Sequence, residues 1–107
     1  MHEAGAVGRA LDTALREAPA GASAPRAASL VVTDPAHIAA QAAELHLQVH
    51  LAEIGLADIP IHTSVRPATC AACGVVSEPE PSDPFCGACG WPLPTVDGPG
   101  VEIELEW

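Results

Sequence analysis

The chain has no lysine and no tyrosine, and its aromatic residues are limited to one phenylalanine and two tryptophans. With so few large rings, the core must consist mainly of Leu, Ile, Val and Ala, and it will be thin. A chain of 107 residues has room for one modest core with a small inserted module. Small domains with thin cores usually need a further source of stability, such as a disulfide or a bound metal, and the four cysteines can provide one.

Positive charge is also scarce, and all of it lies before the first cysteine. The basic residues are Arg9, Arg16, Arg26 and Arg66, against fourteen acidic residues, which gives a net charge of −10. From Cys70 onward there are seven acidic residues and no basic one. Because nucleic acids and anionic membranes bind cationic surfaces, this charge distribution argues against both as partners.

The sequence shows no apolar stretch long enough to span a membrane and no signal peptide. Arg9, Asp12 and Arg16 interrupt the one apolar stretch near the N-terminus. We therefore expect a cytoplasmic protein. In that compartment, paired CxxC motifs indicate a metal site rather than disulfides.

Apolar residues at helical spacing predict two helices. The first should cover about residues 4–17. The second should begin with Asp34 as N-cap and Pro35 as first helical residue, and should end near Gly55. The stripe expected to be buried on the second helix is Ile38, Ala42, Leu45, Val49 and Ala52.

Strand patterns are predicted over residues 29–33, 59–65 and 101–107, the last with apolar residues alternating with glutamates. Pro60 indicates that the second of these strands lies at a sheet edge. The expected fold class is therefore α+β, with two helices packed on one face of a small mixed β-sheet. The last two strands should be antiparallel, with a zinc-ribbon-like module inserted between them.

Two CxxCG motifs with 12 residues between them form that module. Zinc takes four soft ligands in a tetrahedron at roughly 2.3 Å, and a CxxC turn can aim both sulfurs inward. The glycine after each pair can adopt positive φ, so that backbone N–H groups face the thiolates. A redox dithiol or disulfides are the alternatives, but a catalytic redox pair does not explain a matched second pair. The sequence predicts one structural zinc ion at Cys70, Cys73, Cys86 and Cys89.

The segment Met1-His2-Glu3 is a second candidate metal site. A free α-amine, the amide nitrogen of residue two and its imidazole can form fused chelate rings around one ion. Such a nitrogen-rich, near-planar set suits Ni(II) or Cu(II) rather than zinc. From this chemistry alone, a plain exposed histidine at position two is the more common case.

The MHE start followed by a helix, with a late CxxC-x12-CxxC and a final acidic strand, resembles the HypA/HybF family of hydrogenase nickel incorporation proteins. The resemblance implies a nickel metallochaperone, not an enzyme, that delivers Ni(II) during maturation of a nickel enzyme, above all [NiFe]-hydrogenase. It implies nickel binding at Met1, His2 and Glu3, with Asp34 completing the site. The chain departs from the family pattern at Gly5, where serine is common.

The same resemblance implies partners and a domain division. The partners would be a HypB-like GTPase and a hydrogenase large subunit. Residues 1–67 plus 95–107 would form the nickel-binding α/β domain, and residues 68–94 the zinc-binding domain.

Other interpretations of the sequence remain open. His46, His50 and Glu53 share a helix face, which is either an auxiliary metal site or, more often, a solvated face. His37 and His62 stand alone in the sequence, where a surface or structural role is the default. The competing function is a zinc-ribbon adaptor whose acidic face docks a basic partner. A small redox or hydrolytic enzyme is a further alternative, but the sequence shows no recognisable set of nucleophile, base and orienting group.

Overall fold

The computed structural model describes residues 2–79, 83–94, 96 and 98–107, with backbone only for residues 2–4. Its helices are α1 (His2–Arg16) and α2 (Ala40–Glu53), and neither of these described helices is long and apolar enough to cross a membrane. The strands are β1 (Ala27–Val32), β2 (Ile61–Val65), β3 (Ala68–Thr69), β4 (Val76–Ser77) and β5 (Val101–Glu106). Two helices and a small mixed sheet confirm the α+β fold class.

The larger sheet has the strand order β2-β1-β5. Strand β1 runs parallel to β2, with Ala28 opposite Ile61, and antiparallel to β5, with Val32 opposite Val101. Strands β2 and β5 therefore run in opposite directions, as expected, but β1 lies between them. Pro60 precedes the edge strand β2, and its carbonyl accepts a hydrogen bond of 2.9 Å from the N–H of Ala28.

One face of this sheet packs on the helices. The inward residues of β1 are buried and join the main core with Val7 of α1 and Leu47 of α2. On β5, the apolar residues face this core, while the alternating glutamates are exposed. This alternation is the one that the sequence predicted for the last strand.

The second helix begins later than expected. Asp34 and Pro35 belong to a separate turn, in which the N–H of Ile38 donates to the carbonyl of Asp34 at 3.0 Å. The helix α2 starts only at Ala40, and its N-cap, Ala39, makes no side-chain capping bond. The predicted start, with Asp34 as N-cap, was therefore wrong by five residues, although the predicted end near Gly55 is confirmed.

The buried face of α2 also differs from the predicted stripe. Ala43, Leu47 and Leu51 are the buried residues of the helix. Leu45 and Val49 were predicted to be buried, but they are 58% and 50% exposed. Apolar residues occur on several sides of α2, so the periodicity alone does not identify the face that packs.

The turn at residues 34–38 is fixed by Gly100. The N–H groups of Thr33 and Asp34 both donate to the carbonyl of Gly100, at 2.9 and 3.2 Å. Gly100 has φ +85°, and a Cβ there would lie 2.6 Å from Cδ1 of Ile38. Glycine is therefore favoured at this position by backbone conformation, and a larger residue would also have to displace the side chain of Ile38.

Candidate metal centre

The first CxxCG motif is a tight turn between β3 and β4, which pair antiparallel. The N–H of Cys70 donates to the carbonyl of Val75 at 3.0 Å. The N–H of Gly74 donates to the carbonyl of Cys70 at 2.9 Å. These two bonds close the turn and place both of its cysteines on the same side.

The second motif repeats this geometry. The N–H of Cys86 donates to the carbonyl of Trp91, and the N–H of Gly90 donates to the carbonyl of Cys86, both at 2.8 Å. Gly74 and Gly90 have φ of +77° and +75°, so both motif glycines adopt the positive φ predicted from the sequence.

The two turns face each other and bring four sulfurs together. Sγ of Cys70 lies 3.7 Å from Sγ of Cys89, and Sγ of Cys73 lies 3.7 Å from Sγ of Cys86. All four sulfurs lie within 4.8 Å of one another. Four ligands at roughly 2.3 Å from a tetrahedral zinc ion would be about 3.8 Å apart, close to the two observed distances. The cluster could therefore hold a metal ion such as zinc.

The sulfurs are not linked in disulfides, since all four cysteines are free and a disulfide bond measures about 2.05 Å. Cys70 and Cys86, the first cysteine of each motif, are buried. Cys73 and Cys89, the second of each, are exposed. The cluster thus has a buried side and a side open to solvent.

Backbone amides favour the thiolate form at the two buried sulfurs. The backbone N–H of Cys73 is the main cause of a pKa lowered to about 6 at Cys70. The backbone N–H of Cys89 likewise lowers the pKa of Cys86. These are the N–H contacts expected around metal-bound thiolates.

Without a cation, the pKa values of the two exposed cysteines shift in the other direction. The N–H of Trp91 acts to lower the pKa of Cys89, but desolvation and the other three cysteines outweigh it and raise the pKa to about 12. The N–H of Val75 likewise acts to lower the pKa of Cys73, together with the sulfur of Cys89, but desolvation and the other two cysteines outweigh them and raise it. Four thiolates crowd together in this cluster, so their common ionisation requires a positive charge among them.

The α/β part of the chain contributes to the core around the sulfurs. Ala36, in the turn at residues 34–38, is 2% exposed and belongs to the same buried cluster as Cys70, Cys86 and Leu93. The turn that carries Asp34 therefore also packs against the cysteine cluster.

The structure describes part of the predicted nickel site. Met1 lies outside the described residues, and His2 and Glu3 are described only as the first backbone residues of α1. Asp34 is 14% exposed, and its carboxylate oxygens lie 3.0 and 3.2 Å from Nδ1 of His37. Both side chains line a cavity of about 370 Å³ that reaches Ala6, one turn along α1 from His2.

The contact between Asp34 and His37 is a feature that the sequence interpretation missed. His37 stands alone among the histidines of the sequence, but its i, i+3 spacing from Asp34 is a usable signal. The turn that replaces the predicted helix start brings these two side chains together. A carboxylate that holds one imidazole nitrogen leaves the other nitrogen available to solvent or a ligand.

Among the described residues, His46 and His50 do not belong to any group of three potential ligands close enough to hold an ion. Nδ1 of His50 lies 4.0 Å from a carboxylate oxygen of Glu53, and its ring lies against Gly8 of α1. Within the described parts of the chain, the four cysteines are the only group of three or more potential ligands close enough to hold an ion. An auxiliary site at His46 and His50 therefore has no structural support from described residues.

No protein-family model matches this chain, and no curated protein matches it in sequence.

Proposed function

We propose that this chain is a nickel metallochaperone stabilised by zinc. It holds one structural zinc ion at Cys70, Cys73, Cys86 and Cys89. It binds Ni(II) at its N-terminus and delivers it during maturation of a nickel enzyme, above all [NiFe]-hydrogenase. The observation that carries the zinc assignment is the cluster of four sulfurs, with cross-motif distances of 3.7 Å.

The zinc site is closed and structural. A catalytic zinc ion keeps one coordination position for water or substrate, whereas four thiolates fill the tetrahedron. The cysteine segment has little apolar core of its own, so metal binding supplies much of its folding energy. This role involves no catalysis.

The nickel assignment is supported by the position of Asp34. The cavity that Asp34 and His37 line extends to Ala6, which is about 6 Å along α1 from His2. An acidic side chain is thus available near the helix end where His2 and its neighbouring backbone amides occur. The imidazole and amide nitrogens would bind Ni(II), with an oxygen from Asp34 as a further ligand.

Two sites of different character suit a chaperone. A closed tetrathiolate retains its ion, while a chelate at the first residues of a helix is accessible to a receiving protein. In this proposal the partners are a HypB-like GTPase and a hydrogenase large subunit. Residues 1–67 with 95–107 carry the cargo site, and residues 68–94 carry zinc.

Nickel titration of zinc-loaded protein tests the proposal. We expect His2→Ala to abolish nickel binding while zinc content and the circular dichroism spectrum stay unchanged. The matched control is His62→Ala, which removes an exposed imidazole on β2 and should bind nickel as wild type does.

A cellular assay tests delivery. In a cell that makes a nickel hydrogenase, His2→Ala should lower hydrogenase activity, and added nickel salt should restore part of it. Wild-type nickel binding and full hydrogenase activity in the His2→Ala protein would reject the chaperone role. The zinc-ribbon adaptor would then be the better account.

A further inference from the structure

The outer edge of β5 has unpaired backbone groups. Within the described residues, β5 pairs with β1 alone. The N–H of Thr33 donates to the carbonyl of Gly100, and bonded pairs alternate with non-bonded pairs along an antiparallel ladder. The glutamates of β5 therefore occupy the bonded positions. The backbone N–H and C=O groups of Val101, Ile103 and Leu105 point away from β1, toward the free edge.

A shallow groove lies beside this edge. It measures about 260 Å³ and runs between Ala10, Thr13 and Ala14 of α1 and Val101 and Ile103 of β5. The α1 side chains at this point are small, so the groove has room for further apolar side chains. A strand added to β5 would place every second side chain in it.

The opposite face of the same edge is acidic. Glu102, Glu104 and Glu106 all project from the sheet face that no helix covers. Glu102 lies 3.3 Å from Arg66, whereas Glu104 and Glu106 have no cationic partner in the described part of the chain. Two adjacent carboxylates along the free edge are therefore available to an incoming positive charge.

This charge pattern argues against a second copy of β5 as the occupant. Residues directly opposite each other in neighbouring strands share a sheet face. A second β5 that kept its apolar residues toward the helices would therefore place its glutamates opposite Glu102, Glu104 and Glu106. Like charges at that spacing repel, so the glutamates disfavour self-association through this edge.

We propose that the free edge of β5 binds an extended basic segment of a partner protein as a fourth strand. Apolar side chains of the segment enter the groove beside Ala10 and Ala14, and alternate Lys or Arg side chains lie opposite Glu104 and Glu106. The outward backbone groups of β5 supply the hydrogen bonds, and the glutamates select the charge of the partner. This role goes beyond nickel binding and does not depend on it.

Hydrogen exchange with a synthetic peptide of alternating valine and arginine tests this proposal on the full, zinc-loaded chain. Exchange at the outward amides of Val101, Ile103 and Leu105 should slow by about tenfold or more as they gain hydrogen bonds. The amides of the three glutamates already bond to β1 and should change little. A peptide of alternating valine and glutamate should not bind.

Charge-reversal variants separate this site from general attraction to an acidic protein. Glu104→Arg should weaken binding of the valine–arginine peptide by about tenfold, and Glu106→Arg should do the same. Glu78→Arg makes the same charge change in the cysteine segment and should weaken binding by less than about twofold. Equal losses in all three variants, or unchanged exchange at the three outward amides with saturating peptide, would overturn the proposal.

Discussion

The sulfur of Cys70 lies 3.7 Å from the sulfur of Cys89, a residue 19 positions later that belongs to the other CxxCG motif. The second close contact, between Cys73 and Cys86, also joins the two motifs. Each CxxCG motif therefore needs the other to complete the cluster of four sulfurs. An ion bound there would tie the two turns together across a segment with little core of its own.

Removing one sulfur should therefore disorganise the whole cysteine segment. We expect Cys86→Ser to lower the zinc content from about one ion per chain to a small fraction of that. The helical circular dichroism signal should largely remain, because α1 and α2 pack in a separate core. Val76→Ala, at a 62% exposed position in the same segment, should retain full zinc. Full zinc content and an unchanged structure in Cys86→Ser would contradict this expectation.

Sequence periodicity predicted α1 and the three strands of the larger sheet well, because each has one clear apolar stripe or alternation. In β5, every second residue is a glutamate, so only one face can be buried. The cysteine cluster was equally predictable from its spacing. Both kinds of signal depend on neighbours close in the sequence.

The start of α2 depends on a contact distant in the sequence. Asp34-Pro35 is a strong local signal for a helix start, and it does begin one turn. However, Asp34 also bonds through its N–H to the carbonyl of Gly100 and through its carboxylate to His37. The helix begins afresh at Ala40. No local pattern contains the position of Gly100, so the boundary could not be predicted.

Two glycine variants measure how strongly Gly100 fixes this turn. Gly98→Ala has only a backbone cost, since φ is +87° and no atom lies within 4 Å of the added Cβ. We expect it to lower the free energy of unfolding by about 1 kcal/mol. Gly100→Ala should cost about 2–3 kcal/mol, because its Cβ also meets buried Ile38. Equal losses in urea unfolding would show that the contact with Ile38 relaxes freely.

Neutralising Asp34 tests whether its carboxylate completes the nickel site. Asp34→Asn keeps the shape of the side chain and should weaken nickel binding by about tenfold with no loss of zinc. His37→Gln removes the imidazole that contacts Asp34, at a position not implied as a ligand, and should change nickel affinity less. Unchanged affinity in Asp34→Asn would remove Asp34 from the ligand set.

Nickel affinity should depend on pH. The imidazole and amide nitrogens bind nickel only after they lose protons, and an ordinary histidine has a pKa of about 6.5. Affinity should therefore be highest at mildly alkaline pH and should fall steeply as the pH drops through and below that value. Calorimetric titration across this range measures the effect. An affinity that stays flat over the same range would indicate carboxylate ligands instead.

X-ray absorption at the zinc edge tests the metal centre most directly. For the zinc-loaded protein, we expect about one zinc ion per chain surrounded by four sulfur atoms at roughly 2.3 Å. The spectrum should show no nitrogen or oxygen ligand, and added nickel should leave it unchanged, because the proposed nickel site lies elsewhere in the chain. A zinc ion with fewer than four sulfur neighbours, or one displaced when nickel is added, would contradict the assignment of a closed structural site.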